Sequence, residues 1–144
     1  MPQTPRIVPN HNPMLSTAAS ALRAQQARMR IIAENIANAD STADKPGADP
    51  YRRKLPTFGR RFDKELEAHV VELGRVRADQ TPFRTKYDPG HPAADQNGEV
   101  KLPNVNAVIE TKDMREAQRS YEANLNLITA TRRMIARTLE ILRV

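Results

Sequence analysis

The stretch after Pro103 most constrains the fold, because it contains neither proline nor glycine through Val144. These two residue types destabilise a helix interior more than any others. Residues 106–144 are therefore predicted to form one uninterrupted helix, about 55 Å long at 1.5 Å per residue. A chain of 144 residues needs no such length in a compact domain, so the sequence predicts an extended or oligomeric protein.

The apolar residues of this helix recur at alternating steps of three and four, which is the period of a coiled-coil seam. The row comprises Tyr121, Leu125, Ile128, Ile135, Leu139 and Leu142, with Arg132 interrupting it. Such a row has to be buried against a partner, and we expect it to pack on residues 15–36. Asn124, Thr131 and Thr138, spaced by seven, are expected to face neighbouring subunits.

A first helix is predicted over residues 14–38, with an apolar row of the same period as the C-terminal one. Ser16 or Thr17 is expected to cap its start, and Asn35 and Asn38 are expected to end it in a structural rather than a ligand-binding role. Its many alanines lie on several faces. They either let helices approach from several directions or simply favour the helix.

Between the two helices, turn residues separate short runs that are typical of strands. Residues 69–78 are predicted to form one strand with a bulge or bend at Gly74, and residues 83–87 a second strand. Asn97 and Gly98 predict a tight hairpin or turn. This part of the chain is therefore expected to be a small, Pro-rich β region.

The predicted fold class is mainly α with a small β insertion, in which the two terminal helices pair as a coiled coil. Residues 1–13, which hold four of the eleven prolines, are expected to be a flexible tail. Residues 14–40 and 106–144 are expected to form one helical domain, and residues 41–105 the loop and β region. The predicted assembly residues are Leu15, Leu22, Met29, Ile32, Asn35, Ile36, Asn38, Tyr121, Asn124, Leu125, Ile128, Ile135, Leu139 and Leu142.

The sequence gives little support for catalysis. No histidine has a helical partner at i+4, no glycine-rich phosphate loop is present, and the absence of cysteine excludes thiolate ligands. Asp88, His91 and Asp95 crowd one segment, but their types are typical of a turn rather than of a metal site. We expect no enzymatic activity, no metal and no cofactor. A metal-dependent hydrolase built around His91 remains a minor alternative.

The net charge of +6 leaves a basic nucleic-acid-binding protein as the principal alternative. Six arginines on the last helix are candidates for contacting phosphates: Arg115, Arg119, Arg132, Arg133, Arg137 and Arg143. They are spread around the helix, however, and few aromatic residues accompany them as a stacking surface requires. No segment approaches the roughly 20 apolar residues of a membrane span, and the N-terminus lacks the apolar core of a cleavable signal.

Three segments resemble the bacterial flagellar rod and hook axial family, and in particular its C-type proximal rod branch. They are Asn-Ile-Ala-Asn-Ala-Asp-Ser at residues 35–41, Tyr-Asp-Pro-Gly-His-Pro-Ala-Ala-Asp at residues 87–95, and Ser-Tyr-Glu-Ala-Asn at residues 120–124. Gly98 and the Pro-Asn-Val of residues 103–105 extend the second segment. The resemblance covers residues 15–144.

This resemblance implies a structural, non-enzymatic subunit that the flagellar type III apparatus exports unfolded and without a cleaved signal. Such subunits stack in the periplasm into a tubular drive shaft that encloses the export channel and transmits torque. Their terminal helices pair as the inner tube. The implied partners are further copies of the chain, the other proximal and distal rod proteins, the rod-to-MS-ring adaptor and the export apparatus.

Overall fold

The computed structural model describes residues 12–143, so the predicted flexible tail of residues 1–13 lies almost wholly outside the described residues. Along the chain, six short strands lie between two long helices. The elements are α1 (Pro13–Ala37), β1 (Lys54–Leu55), β2 (Phe58–Asp63), β3 (Ala68–Leu73), β4 (Arg77–Ala78), β5 (Arg84–Tyr87), β6 (Glu99–Leu102) and α2 (Ala107–Leu142). The prediction of a mainly α fold with a small β insertion is confirmed.

Both helices begin at an asparagine. The Asn12 side chain accepts a hydrogen bond from the Met14 N–H, and proline follows the cap at the first helical position, where its missing N–H costs nothing. The prediction that Ser16 or Thr17 caps α1 is therefore wrong. Asn106 caps α2 by accepting bonds from the N–H groups of residues 108 and 109.

The helices pack against each other in antiparallel orientation. Asn35, near the end of α1, contacts Glu110 in the first turn of α2, whereas Met14, near the start of α1, meets Thr131. The alanine-rich face of α1 permits this close approach, and Ala117 of α2 is completely buried. Because α1 has 25 residues and α2 has 36, the C-terminal end of α2 extends past α1.

The β2–β3 hairpin packs on another face of α1. The Ser20 hydroxyl accepts a hydrogen bond from the Val71 N–H at 2.9 Å, and the Thr17 hydroxyl donates to the His69 carbonyl at 2.7 Å. Two hydroxyls of α1 thus satisfy backbone groups on the free edge of β3. Helix α1 lies between the hairpin and α2.

The strands form three two-stranded antiparallel ladders, β1 with β4, β2 with β3, and β5 with β6. The prediction of one bulged strand over residues 69–78 is wrong, since β3 and β4 are separate strands with different partners. Gly74 instead donates its N–H to the Thr57 carbonyl at the point where the chain leaves β3.

Strand β5 matches the strand predicted over residues 83–87, and β6 directly follows the turn predicted at Asn97 and Gly98. A long loop of residues 88–98, rather than a two-residue hairpin, joins them, and it ends at Gly98 with φ of 76°. Val100 within β6 is buried, as are Pro103 and Val105 just after it. Among residues 12–143, no helix is both long and apolar enough to cross a membrane.

Candidate assembly surface and the junction that positions it

Asn35 is the centre of a polar junction between the end of α1 and the start of α2. Its amide nitrogen donates to the Lys54 carbonyl at 2.9 Å and to Glu110 Oε2 at 3.3 Å. Its amide oxygen accepts from the Tyr51 hydroxyl at 2.7 Å and from the Lys54 N–H at 2.9 Å. The side chain is only 1 % exposed and uses all four of its hydrogen-bonding positions. Asn35 is therefore a structural cross-link between α1, α2 and the start of β1.

Glu110 and Arg53 supply the charged half of this junction. The Glu110 carboxylate is 1 % exposed and accepts a hydrogen bond from Arg53 Nε, while the other guanidinium nitrogens approach Asp79 at 3.3 Å and Asp113 at 3.4 Å. Burial alone lowers the pKa of Arg53, but the hydrogen bond and charge of Glu110, followed by those of Asp79, outweigh it and raise that pKa. The buried carboxylate thus has the charged partner that its burial requires.

Asn104 and Asp79 fasten the β region to the same point. The Asn104 side chain accepts from the Arg53 N–H at 2.8 Å and donates to the Asp79 carbonyl at 2.9 Å. The Thr81 N–H donates to the Asp79 carboxylate at 2.9 Å. This bond, with the Thr81 hydroxyl and Arg53, lowers the pKa of Asp79 despite partial burial. Both helices and the ladder of β1 and β4 are consequently held in one arrangement.

Tyr51 is a further hydrogen-bond partner of Asn35. Burial, and then the negative charges of Glu34 and Glu110, raise its pKa to about 12, because all three disfavour the phenolate. The hydroxyl therefore stays protonated and donates to Asn35 well above neutral pH. In the junction these groups satisfy one another, which suits a rigid joint between helices.

The segment around His91 is a folded turn. His91 Nδ1 accepts from the Ala93 N–H at 3.0 Å, and Nε2 lies 3.4 Å from the Thr42 hydroxyl. Asp95 Oδ1 accepts from the N–H groups of Asn97 and Glu99. Among residues 12–143, no three His, Asp or Glu side chains are grouped so as to hold a metal ion.

The predicted assembly residues fall into three groups by exposure in the single subunit. Ile32 and Asn35 are buried in the contact between the helices or at the junction. The half-buried residues are Leu15, Leu22, Met29, Asn38, Tyr121, Asn124, Ile128 and Ile135. The exposed residues are Ile36, Leu125, Leu139 and Leu142.

The exposed group corrects the expectation that the whole C-terminal row packs on residues 15–36. The buried residues of α2 are Glu110, Ala117 and Thr131, which are separated by multiples of seven. The prediction that Thr131 faces a neighbour is wrong, since its hydroxyl donates to the Leu127 carbonyl and lies 3.7 Å from Met14 Sδ. The helix contact within the subunit thus ends near Thr131, whereas Leu139 and Leu142 lie beyond the start of α1.

We call residues 132–142 the α2 overhang. Apart from half-buried Ile135, every residue in it is exposed. The exposed apolar side chains are Met134, Leu139, Ile141 and Leu142, at 69 %, 54 %, 74 % and 75 %. Four large apolar side chains are thus exposed within nine residues, and clusters of this kind are typical of interaction sites.

Sequence reasoning missed several of these residues. Met134 and Ile141 lie off the predicted row, but with Leu127 they form a second row spaced by seven, and that spacing could have identified them. Arg53 and Glu110 belong to charged residue types that usually lie in solvent. No local signal in the sequence marks either one as buried.

The comparisons with known proteins all give proteins of the bacterial flagellar basal body. The family model described as "Flagella basal body rod protein" matches residues 15–43, and "Flagellar basal body rod FlgEFG protein C-terminal" matches residues 96–141. The two matches cover α1 with its exit and β6 with α2, which are the parts that meet at the Asn35 junction.

Similar curated proteins share the name "Flagellar basal-body rod protein FlgC". The one from Agrobacterium fabrum is 53% identical over 126 residues, covering 88% of this chain and 91% of the relative. The one from Salmonella typhimurium is 39% identical over 122 residues, covering 85% and 90%. The one from Bacillus subtilis is 35% identical over 142 residues, covering 88% and 95%. These relatives give no support to the alternative of a nucleic-acid-binding protein.

Proposed function

The chain belongs to the flagellar basal-body rod protein family, with relatives named FlgC, and on that premise we propose how it builds the rod of which it is a structural subunit. Its terminal helices pair within each subunit as a short antiparallel coiled coil. Their uncovered faces then join neighbouring subunits into a tube that encloses the export channel and transmits torque as a drive shaft.

The observation that carries this proposal is the α2 overhang. An isolated soluble subunit gains nothing from eleven helical residues whose large apolar side chains lie in water, since each costs transfer free energy until it is covered. In the part of the chain that the structure describes, Met134, Leu139, Ile141 and Leu142 stay exposed, and we propose that a neighbouring chain packs on them. The single subunit therefore holds one incomplete contact at the end of its helix pair.

The domain division follows the same logic. We propose that residues 14–40 and 106–144 act as one helical domain, because Asn35, Glu110 and Arg53 join the two helices far apart in sequence. Residues 41–105 form the loop and β region beside it. A junction of satisfied buried groups resists shear between the parts, which suits a shaft under torque.

We infer the cellular setting and the partners of the chain from its family. We propose a non-enzymatic subunit of the proximal rod in the periplasm, delivered by the flagellar type III export apparatus without a cleaved signal. It contacts copies of itself, other proximal and distal rod proteins and the rod-to-MS-ring adaptor. The predicted assembly residues are proposed to serve these contacts, with Ile36, Leu125, Leu139 and Leu142 facing neighbours.

The test is the exposed substitution Leu139→Asp in the full-length protein. We expect a subunit that folds normally but no longer builds a rod, because the contact would then have to bury an unpaired charge. Rod formation is followed by electron microscopy of basal bodies from the mutant strain, and folding by circular dichroism of the purified subunit. Ile128 is half-buried within the subunit, so a charge there would test folding and assembly together.

Gln118→Asp is the matched control, since it adds the same side chain at an exposed position of α2 that is already polar. It should leave rods and swimming intact. Normal rods in the Leu139→Asp strain would refute the proposed role of the overhang.

A further inference from the structure

The turn of residues 95–98 contains a chemically reactive pair, Asn97 and Gly98. Asn97 is the only asparagine of the chain that a glycine follows. The side-chain amide of an asparagine is open to attack by the main-chain nitrogen of the next residue, and glycine obstructs this attack least because it has no Cβ. Asn97 is also exposed, so solvent reaches its amide.

The reaction is a deamidation whose only co-reactant is water. The Gly98 nitrogen gives its proton to a base in the solvent and forms a bond to Asn97 Cγ. The bond between Cγ and the side-chain nitrogen breaks, and this nitrogen takes a proton from water and leaves as ammonia. Water then opens the resulting succinimide ring at either carbonyl. The products are aspartate and isoaspartate, in which the main chain runs through the former side chain.

In the folded subunit, the main-chain groups of Gly98 are held on both sides. The Gly98 N–H donates to the Asp95 carbonyl at 3.0 Å, and the Gly98 carbonyl accepts from the Asp88 N–H at 2.8 Å. Residue 98 is buried, and Tyr87 Cε2 and Pro89 Cβ would lie 2.9 Å and 3.1 Å from a Cβ placed there. The nitrogen that must give up its proton is therefore a bonded donor inside a packed turn, which makes the attack more costly.

The Asp95 carboxylate fixes the same turn through the neighbouring residues. Its Oδ1 accepts from the Asn97 N–H at 2.8 Å and from the Glu99 N–H at 2.9 Å. Together with the carbonyl bond from Gly98, the N–H groups of residues 97, 98 and 99 all donate to Asp95. The peptide unit that joins residues 97 and 98 cannot change its orientation without breaking these bonds, so reaction requires a local opening of the turn.

We propose that Asn97 is a site of spontaneous deamidation in the unfolded chain, and that the turn built by Asp95 protects it once the subunit has folded. Unfolding releases the Gly98 N–H to solvent and frees the nitrogen to approach Asn97 Cγ. One consequence rests on the proposed function: a chain that is exported unfolded stays unprotected until the loop of residues 88–98 closes.

Isoaspartate at position 97 does not fit the folded loop. It adds one carbon to the main chain directly before Gly98, and Tyr87 and Pro89 leave little room for Gly98 to move toward them. The bonds that Gly98 and Glu99 make to Asp95 would be displaced, which weakens the closure of the loop between β5 and β6. Deamidation before folding therefore yields a less stable subunit.

The test follows deamidation of the purified full-length protein in mildly alkaline buffer, with and without denaturing guanidinium chloride. Peptide mapping by chromatography and mass spectrometry measures the conversion of Asn97 to aspartate and isoaspartate over time. We expect this conversion to be more than about tenfold slower in the folded protein. Asn124, which Leu125 follows, is the internal control and should stay unmodified in both samples. Equal rates in the two samples, or an unfolded chain that keeps Asn97 intact, would overturn the proposal.

Two substitutions at residue 95 test the protecting role of its carboxylate. Asp95→Asn keeps an Oδ1 acceptor and should deaminate residue 97 within about twofold of the wild-type rate, whereas Asp95→Ala loses both side-chain bonds and should react about fivefold faster or more in the folded state. Circular dichroism checks the fold, and the rate in guanidinium chloride is the reference for each variant. Wild-type protection in Asp95→Ala would refute the role of the carboxylate. The wild-type comparison decides the proposal even where a variant fails to fold.

The isoaspartate form provides a separate measurement. Protein aged in guanidinium chloride is refolded, and the form with isoaspartate at position 97 is isolated by chromatography. Its midpoint of urea denaturation should be lower than that of the unmodified chain, and equal midpoints would contradict the misfit in the loop. These experiments use the purified subunit alone, so their failure would leave the proposed rod function standing. Loss of the rod function would likewise leave the deamidation chemistry intact.

Discussion

At the scale of single residues, the protein depends on a few buried polar groups rather than on a large apolar core. The core side chains within the described residues are mostly alanine and valine, so apolar burial per residue is small. Asn35, Glu110 and Arg53 compensate by joining segments far apart in sequence, such as residues 35 and 110. Removing one member leaves the others buried without partners, which costs more than the bond itself contributes.

Asn35→Ala should lower the free energy of unfolding by about 2–4 kcal/mol, since the Tyr51 hydroxyl and both Lys54 backbone groups lose their partner. Urea denaturation of the purified subunit, followed by circular dichroism, measures the change. Asn38→Ala is the control, because Asn38 is only half-buried and its amide donates a single bond to the Glu34 carbonyl. That variant should lose about 1 kcal/mol, and equal losses in the two variants would contradict a special role for Asn35.

Tyr51 should give the protein a late step in alkaline titration. Its folded-state pKa is raised from 10.0 to about 12. Its stabilising contribution is therefore complete below pH 10 and is lost as the pH rises through about 12. Ultraviolet absorbance of tyrosinate should show a component near pH 12 that Tyr51→Phe removes. A wild-type curve without this component would show that the hydroxyl is not held against Asn35.

At the scale of elements, caps and turns set where each helix and strand begins. Asn12 and Asn106 start the two helices, and Gly98 ends the loop that leads into β6. The loop matters because residues 87–95 carry the most distinctive sequence of the chain, and the fold places that sequence next to the exit of α1 through the Thr42–His91 contact. Arg84 strengthens this attachment by donating to the Ala39 and Pro103 carbonyls.

Three glycine-to-alanine substitutions should separate backbone strain from crowding. Gly98 has φ of 76°, and a Cβ there would lie 2.9 Å from Tyr87 Cε2 and 3.1 Å from Pro89 Cβ. Gly47 has φ of 81° with open space around it, and Gly59 has neither constraint. Urea denaturation should therefore show that the free energy of unfolding falls by more than about 2 kcal/mol for Gly98→Ala. The fall should be about 1 kcal/mol for Gly47→Ala and less than about 0.5 kcal/mol for Gly59→Ala. The opposite ranking would contradict the turn geometry.

At the scale of the whole molecule, α2 divides into a part that packs within the subunit and an exposed overhang that we propose serves assembly. The portion up to Thr131 packs on α1, and the overhang contributes exposed apolar surface that the folded subunit does not use. For the proposed function this separation is an advantage, because the subunit can fold without its neighbours and still offer them a rigid helical surface. We therefore propose that the helix length in excess of α1 serves assembly.

Ending the chain after Ile135 should leave the free energy of unfolding within about 1 kcal/mol of the wild type, since the described residues removed are all exposed. The truncated protein should nevertheless fail to form rods in electron micrographs. Ala117→Asp provides the contrast, because residue 117 is completely buried. This variant should lower the free energy of unfolding by roughly several kcal/mol, since it buries an unpaired charge. A truncated subunit that melts as easily as Ala117→Asp would contradict this separation.

The sequence alone determined the two long helices, because proline and glycine are absent where the apolar period runs and because local spacing decides amphipathic helices. It also determined the β5 strand and the Gly98 turn, whose signals are equally local, and the motifs that resemble the rod family. The prediction for residues 69–78 is wrong, since strand pairing depends on partners distant in the chain.

Only the tertiary structure decided which helical faces are covered. Leu125, Leu139 and Ile128 share one apolar period, yet the shorter length of α1 leaves Leu139 beyond its start, and helix rotation exposes Leu125. The burial of Glu110 and Arg53 depends on residues 53, 79 and 110 meeting in space, which no local pattern encodes. The local sequence pattern predicts a helix of nearly forty residues, whereas the division of that helix into a part that packs on α1 and an exposed overhang emerges only when α1 packs against it.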